Sequence, residues 1–270
     1  MTRPGGRSAG ARPAHGFRNL RILLLSLVLA FVALRTWEQH YQSTRWTSPL
    51  FVAIYPIAAD SSPVTARYVA SLDAARFDSI DRFFAREAAR YHVAEGTPVE
   101  TRLQPPLARL PPQRPPDSRL LGTILWSLRL RLWAWRVALH THDPDDVQMF
   151  VLYRDPALTP TVPHSLGLEK GLVGVVYAFA DPRMDGGNDV IVAHEIMHTL
   201  GATDRYDPAT DEPRFPDGYG DPRQVPLYPQ KTAELMAGRR MVAPGRWIEP
   251  RSLDEVVIGP ASAREIRWIR

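Results

Sequence analysis

Residues 190–207 read VIVAHEIMHTLGATDRYD. Within them His194, Glu195 and His198 spell H-E-x-x-H. On a helix, positions four apart share one face, so both imidazoles can hold one metal ion, and zinc is the usual occupant. Glu195 directly follows the first histidine, where its carboxylate reaches a metal-activated water without being a ligand itself. A helix here is independently reasonable. Asn188 or Asp189 can cap it, Val190, Ala193, Met197 and Leu200 recur at helical spacing, and Gly201 can end it. The competing reading is a structural helix whose histidines hydrogen-bond within the core. Against it stands the cost of burying the charged Glu195 unpaired between them.

Three residues past Gly201 comes Asp204, which extends the pattern to H-E-x-x-H-x-x-G-x-x-D. This resembles the metzincin zinc-protease motif, in which the helix ends at glycine, the chain turns, and the last residue is the third ligand. Residues 234–238, ELMAG, resemble the methionine turn that follows that motif, with Met236 at its centre. The wider stretch 164–238 looks like that of membrane-anchored bacterial zinc-protease-like proteins. The resemblance implies an α+β fold: a zincin-like mixed twisted sheet, a long helix behind it, and the active-site helix below an edge strand. It implies Zn2+ held by His194, His198 and Asp204, with Glu195 catalytic. Aspartate replaces the commoner histidine at the third position, and carboxylate is an acceptable zinc ligand. Glu212 and Glu234 compete for that place: Glu234 suits a plan in which a second helix supplies the ligand, and Glu212 lies in a proline-rich loop. In proteins of this resemblance an antiparallel edge strand pairs with extended substrate, and residues 171–179 are the best candidate for it. His164 could face the cleft. Tyr206 or Tyr219 could help stabilise an oxyanion, and the proline-rich loop after Asp204 forms a cleft wall.

There is no cysteine among the 270 residues, which excludes a disulfide framework, a thiol nucleophile and a thiolate-ligated metal. The net charge of +4 comes from one place. Residues 1–21 hold Arg3, Arg7, Arg12, Arg18 and Arg21 and no acid, so the remainder is slightly negative. That balance does not point to nucleic acid. The arginines instead flank residues 22–34, ILLLSLVLAFVAL, an uncharged apolar run. It reads as an N-terminal transmembrane signal anchor over 22–37, with Arg35 snorkelling and Trp37 at the interface; a cleaved signal peptide is the alternative. The expected order is a basic cytoplasmic tail (1–21), the anchor, a spacer (38–48) and an extracytoplasmic catalytic domain (49–270).

Within that domain, residues 50–57, 147–153 and 174–180 read as buried strands and 97–103 as a weaker one. An apolar stripe predicts one long helix over 64–91. The proline-dense segment 105–116 reads as an extended connector. Residues 119–140 carry two apolar rows. Leu121, Leu125, Leu128, Leu132, Trp135 and Leu139 form one, Trp126, Leu130, Trp133 and Val137 the other, with Arg129, Arg131 and Arg136 as the polar part. Such a helix packs in a core or lies on a membrane surface, and three internal arginines argue against a span. Residues 253–258 suggest a last strand and 261–269 a closing helix. The combined expectation is a metallopeptidase acting on a protein or peptide substrate. The alternatives are a zinc-stabilised, inactive binding module at the membrane and zinc-dependent hydrolysis of a non-peptide bond.

Overall fold

The computed structural model describes residues 46–93, 96–113, 115, 120–139, 146–161, 165–168 and 172–270. The basic tail, the apolar segment 22–37, most of the spacer 38–48 and His164 lie outside the described residues. Among the described residues no helix is long and apolar enough to cross a membrane.

Three apolar runs make the centre of one sheet: β1 (Leu50–Ala58), β3 (Val147–Arg154) and β5 (Val173–Phe179). Strands this apolar, with little polar alternation, suit a parallel sheet covered on both faces. β1 pairs in parallel with β3, and β3 with β5. β2 (Val99–Leu103) adds in parallel outside β1, and β4 (Leu166–Leu168) adds antiparallel outside β5. The order is β2-β1-β3-β5-β4, a mixed sheet with one antiparallel edge. That edge is not residues 171–179. Val173, Gly174 and Val175 are already paired to β4, so β5 is interior there. β4 has three residues, too few to show a strand period in the sequence.

Five α-helices are described: α1 (Pro63–Ala70), α2 (Asp78–Arg90), α3 (Leu120–Ala138), α4 (Asp185–Thr199) and α5 (Pro260–Glu265). The chain steps from β1 outward to β2, then back across β1 to β3. Right-handed crossovers in opposite directions place their helices on opposite faces. Accordingly Tyr68 of α1 and Ile80, Phe83 and Phe84 of α2 pack with Val52, Ile54 and Val151 on one face. Trp126, Leu130 and Ala134 of α3 pack with Ala53, Tyr55 and Phe150 on the other. α4 joins the first face through Val192, Ala193, Ile196 and Met197. The proline-rich connector is laid against α3, where Trp126 Nε1 donates to the Pro112 carbonyl at 2.8 Å.

The helix expected over 64–91 is broken at 71–73. The Ser71 N–H closes α1 on the Arg67 and Tyr68 carbonyls, and the Asp73 side chain opens a 3-10 turn by accepting from the Arg76 N–H. The break brings Arg76 to α4, where it pairs with Asp189 at 2.6 Å and Asp185 at 3.0 Å. Asp189 is therefore an ion-pair partner and not a cap, since α4 begins at Asp185. Asn188 is not a cap either. Its amide accepts the Phe179 N–H at 3.0 Å and donates to the Phe179 carbonyl at 2.9 Å, fastening α4 to the end of β5.

After α4 the chain is irregular except for short pairs. β6 (Ala233–Glu234) pairs in parallel with β9 (Val256–Val257), and β7 (Arg240–Ala243) forms a hairpin with β8 (Arg246–Ile248). The strand expected over 253–258 is a 3-10 turn plus β9, and the closing helix is the shorter α5.

Candidate metal centre

α4 carries His194 and His198 one turn apart, with ring centroids 4.6 Å apart. The helix ends as its sequence requires. Gly201 sits at φ +98°, the Gly201 N–H reaches the His198 carbonyl at 3.1 Å, and the Ala202 N–H reaches the Met197 carbonyl at 3.0 Å. This is a Schellman ending, open to glycine because it needs positive φ. It turns the chain back, so that Asp204 Oδ1 lies 3.2 Å from His194 Nε2 and 3.1 Å from His198 Nε2. A Glu195 carboxylate oxygen lies within 4.8 Å of ligand atoms of both histidines, and this trio could hold a metal ion. The structure thus brings His194, Glu195, His198 and Asp204 together.

Each imidazole is oriented by a backbone carbonyl. His194 Nδ1 is 2.9 Å from Leu235 O, and His198 Nδ1 is 2.8 Å from Ala202 O. A carbonyl can only accept, so both Nδ1 atoms carry the proton. When neutral, both rings then turn Nε2 lone pairs toward Asp204. Burial opposes a charge on His194, but the Asp204 hydrogen bond, the Glu195 charge and the Leu235 carbonyl outweigh it and raise its pKa to about 9. Burial likewise opposes the Asp204 carboxylate, and the two histidines overcome it and hold its pKa well below the usual range. Metal binding at such a site must displace protons.

The loop carrying Asp204 is pinned on both sides. Glu265, at the end of α5, accepts from Thr203 N–H at 2.9 Å and Thr203 Oγ1 at 2.7 Å, and pairs with Arg205 at 2.7 Å. The Arg205 N–H also donates to the Met236 carbonyl at 2.9 Å. Residues 234–238 form a tight turn, closed by the Gly238 N–H on the Glu234 and Leu235 carbonyls, with Gly238 at φ +64°. Met236 is fully buried in the cluster that includes Ala193 and Met197. The turn therefore supports the site twice, through Leu235 O and Met236 O.

The competing carboxylates are placed elsewhere. Glu234 is fully buried and accepts from Ala237 N–H and Gly259 N–H at 3.0 Å each and from Ser262 Oγ at 2.7 Å. Burial pushes its pKa up against those donors. Its oxygens are spent on fastening the turn to α5. Glu212 lies across from Asp207, whose N–H takes its carbonyl at 2.9 Å. Of the two tyrosines, Tyr206 stands next to the site, where burial and then the Asp204 charge raise its pKa. The Tyr219 hydroxyl is engaged with that of Tyr228 at 3.0 Å.

Glu195 is buried beneath the sheet edge. A Cβ on Gly174 would meet Met149 Sδ at 2.2 Å, so this glycine leaves room for the Met149 side chain, and the same point lies 3.9 Å from Glu195 Cβ, at ordinary contact distance. The partner of Gly174 in β4 is Gly167. The residues that sequence reasoning missed are Glu265 and the carbonyls of Ala202 and Leu235. A backbone acceptor leaves no residue signature, and Glu265 lies 62 positions from Thr203.

No family model matches the chain, and no curated protein matches it. Solved structures of OgpA from Akkermansia muciniphila are similar to 80% of it. The wild-type protein has 14% identity and a TM-score of 0.33. The catalytically inactive protein in complex with an O-glycopeptide (glycodrosocin) substrate has 13% identity and a TM-score of 0.32. The chain spans 59% and 58% of those two chains. Likeness of that degree carries no argument about this protein's activity.

Proposed function

We propose that the chain is a zinc-dependent, extracytoplasmic peptidase with His194, His198 and Asp204 as ligands and Glu195 as general base. The observation that carries this reading is the convergence of three electron-pair donors: two imidazoles oriented by backbone carbonyls and one carboxylate on a loop pinned through its neighbours Thr203 and Arg205. Zinc bonds of about 2.1 Å in a tetrahedral site put neighbouring donors about 3.4 Å apart. The two Nε2–Oδ1 separations, 3.2 and 3.1 Å, are close to that edge. Imidazole and carboxylate without thiolate are also the donor set of catalytic rather than structural zinc sites.

Zinc, when bound, supplies Lewis acidity: it acidifies water and polarises a carbonyl. The chain's own groups do the rest. Glu195 accepts a proton from the attacking water and delivers it to the leaving amine nitrogen. The carbonyls of Leu235 and Ala202 keep both Nε2 atoms facing inward and fix the tautomer. β4 presents an antiparallel edge to which an extended peptide can add, and Gly167 lies in register with Gly174 above Glu195. An extracytoplasmic location is supported by the arginine-flanked apolar run at 22–34.

Zinc per chain and cleavage of a mixed-peptide library, measured for the wild type and Glu195→Gln, test the reading. Both proteins should hold zinc, and the variant should lose roughly two to four orders of magnitude in turnover. Wild-type cleavage by the variant would remove Glu195 from its role. Zinc without cleavage in either protein would leave a binding module.

A further inference from the structure

α3 is apolar on two opposite sides, and the sheet uses only one. Trp126, Leu130 and Ala134 are buried against β1 and β3. Ile124, Leu125, Leu128, Leu132, Trp135 and Leu139 run along the other side, between 45% and 61% exposed. Their spacing keeps them in one stripe at about 100° per residue. On the same count Arg131 borders one margin of the stripe, and Arg129 and Arg136 border the other. α3 contains no aspartate or glutamate.

We propose that this stripe lies in the plane of an anionic lipid surface, as a second membrane contact separate from the N-terminal apolar run. Three observations select a bilayer over another protein surface. Arginines on both margins, with no acid between them, complement anionic headgroups while their stems lie along the apolar stripe. Trp135 sits among the exposed apolar residues, where an indole suits the boundary between headgroup and acyl chain. The helix is 19 residues long yet not apolar enough to span, which is the pattern of an in-plane helix. The sequence also supplies proximity. Only residues 35–45 separate the apolar run 22–34 from Trp46, a reach of about 40 Å at full extension. α3 covers the sheet face opposite α4, so this contact leaves the metal centre on the far side of the sheet from the lipid.

The chain has no cysteine, so one introduced thiol reports one position. The full chain carrying Leu132→Cys, labelled with a fluorophore, is reconstituted in vesicles of equal phosphatidylglycerol and phosphatidylcholine. Val225→Cys, at a position 93% exposed, serves as the control. The label at 132 should be quenched by nitroxide on the lipid acyl chain and shielded from aqueous iodide, and the label at 225 should behave in the opposite way. Replacing Arg129 and Arg136 by glutamine should lower the ratio of lipid-contacting to free label roughly fivefold for each charge removed. An unchanged ratio, iodide quenching at 132, or shielding from both quenchers, as a second copy seated on the stripe would give, each overturns the proposal.

Discussion

Asp204 is the residue on which the donor set turns. Its carboxylate meets both Nε2 atoms, whereas both Glu234 oxygens are engaged elsewhere, by Ala237, Gly259 and Ser262. Asp204→Ala should therefore lower zinc affinity by well over the roughly 10–100-fold typical of an outer partner. Asp204→His should be the best-tolerated exchange, and Glu212→Ala and Glu234→Gln should keep the metal. Glutamine is the right probe at 234, because alanine would leave three buried donors unpaired. Zinc per chain after dialysis against a mild chelator reads all four variants. Full occupancy in Asp204→Ala with loss in Glu234→Gln would move the third ligand to Glu234. At this scale the sequence was most informative. Metal chemistry constrains residue type and spacing together, so His194, Glu195, His198 and Asp204 stood out without any knowledge of the fold. The carbonyls that orient the rings did not, since every residue has one.

Between elements, the loop carrying Asp204 depends on α5. Glu265 holds Thr203 and Arg205, the neighbours of Asp204 on either side. Glu265→Gln should weaken zinc binding roughly tenfold, as loss of a positioning contact does. Competition against a chelator of known affinity measures it, and wild-type affinity would show that the loop holds itself. A second junction ties the ends of β1 and β3. Asp60 accepts from Ser62 N–H at 3.0 Å and Asp155 N–H at 2.7 Å. Burial works against its charge, but the Asp155 and Ser62 amides and the Arg154 charge prevail, and its pKa falls below 3.8. A carboxylate whose folded value is depressed stabilises the fold above its unfolded value and loses that contribution as pH falls through the folded one. Asp60→Asn should thus be less stable than wild type near neutrality, with the gap closing below pH 3.8. Denaturant titrations across pH test this, and a constant gap would refute it. Strands β1, β3 and β5 were legible as apolar runs, but the break at 71–73 was not, because the apolar stripe continues on both sides of it. The break is made by the Asp73 side chain, which accepts from the Arg76 N–H. β4 was invisible for want of length.

The described residues carry the candidate metal centre on one sheet face and an exposed apolar helix on the other. We propose that residues 45–270 lie outside the cytoplasm, tethered by the segment around 22–34. A reporter fused after Arg270 should be active only on the outer side, and neutralising the five arginines of residues 1–21 should scramble the orientation. Cytoplasmic activity alone would refute it. The sequence pattern showed both apolar rows of α3, but which one met the sheet depended on the partners Tyr55 and Phe150, far away in the chain. The shortness of β4 has a further consequence. In an antiparallel edge the outward N–H and C=O groups belong to alternate residues, so of the three residues described as β4 one or two face a guest. That amounts to about two to four backbone hydrogen bonds at roughly 1 kcal/mol each, a grip no better than about millimolar. Such a rail fixes the direction in which a guest chain runs, while discrimination between guests falls to their side chains.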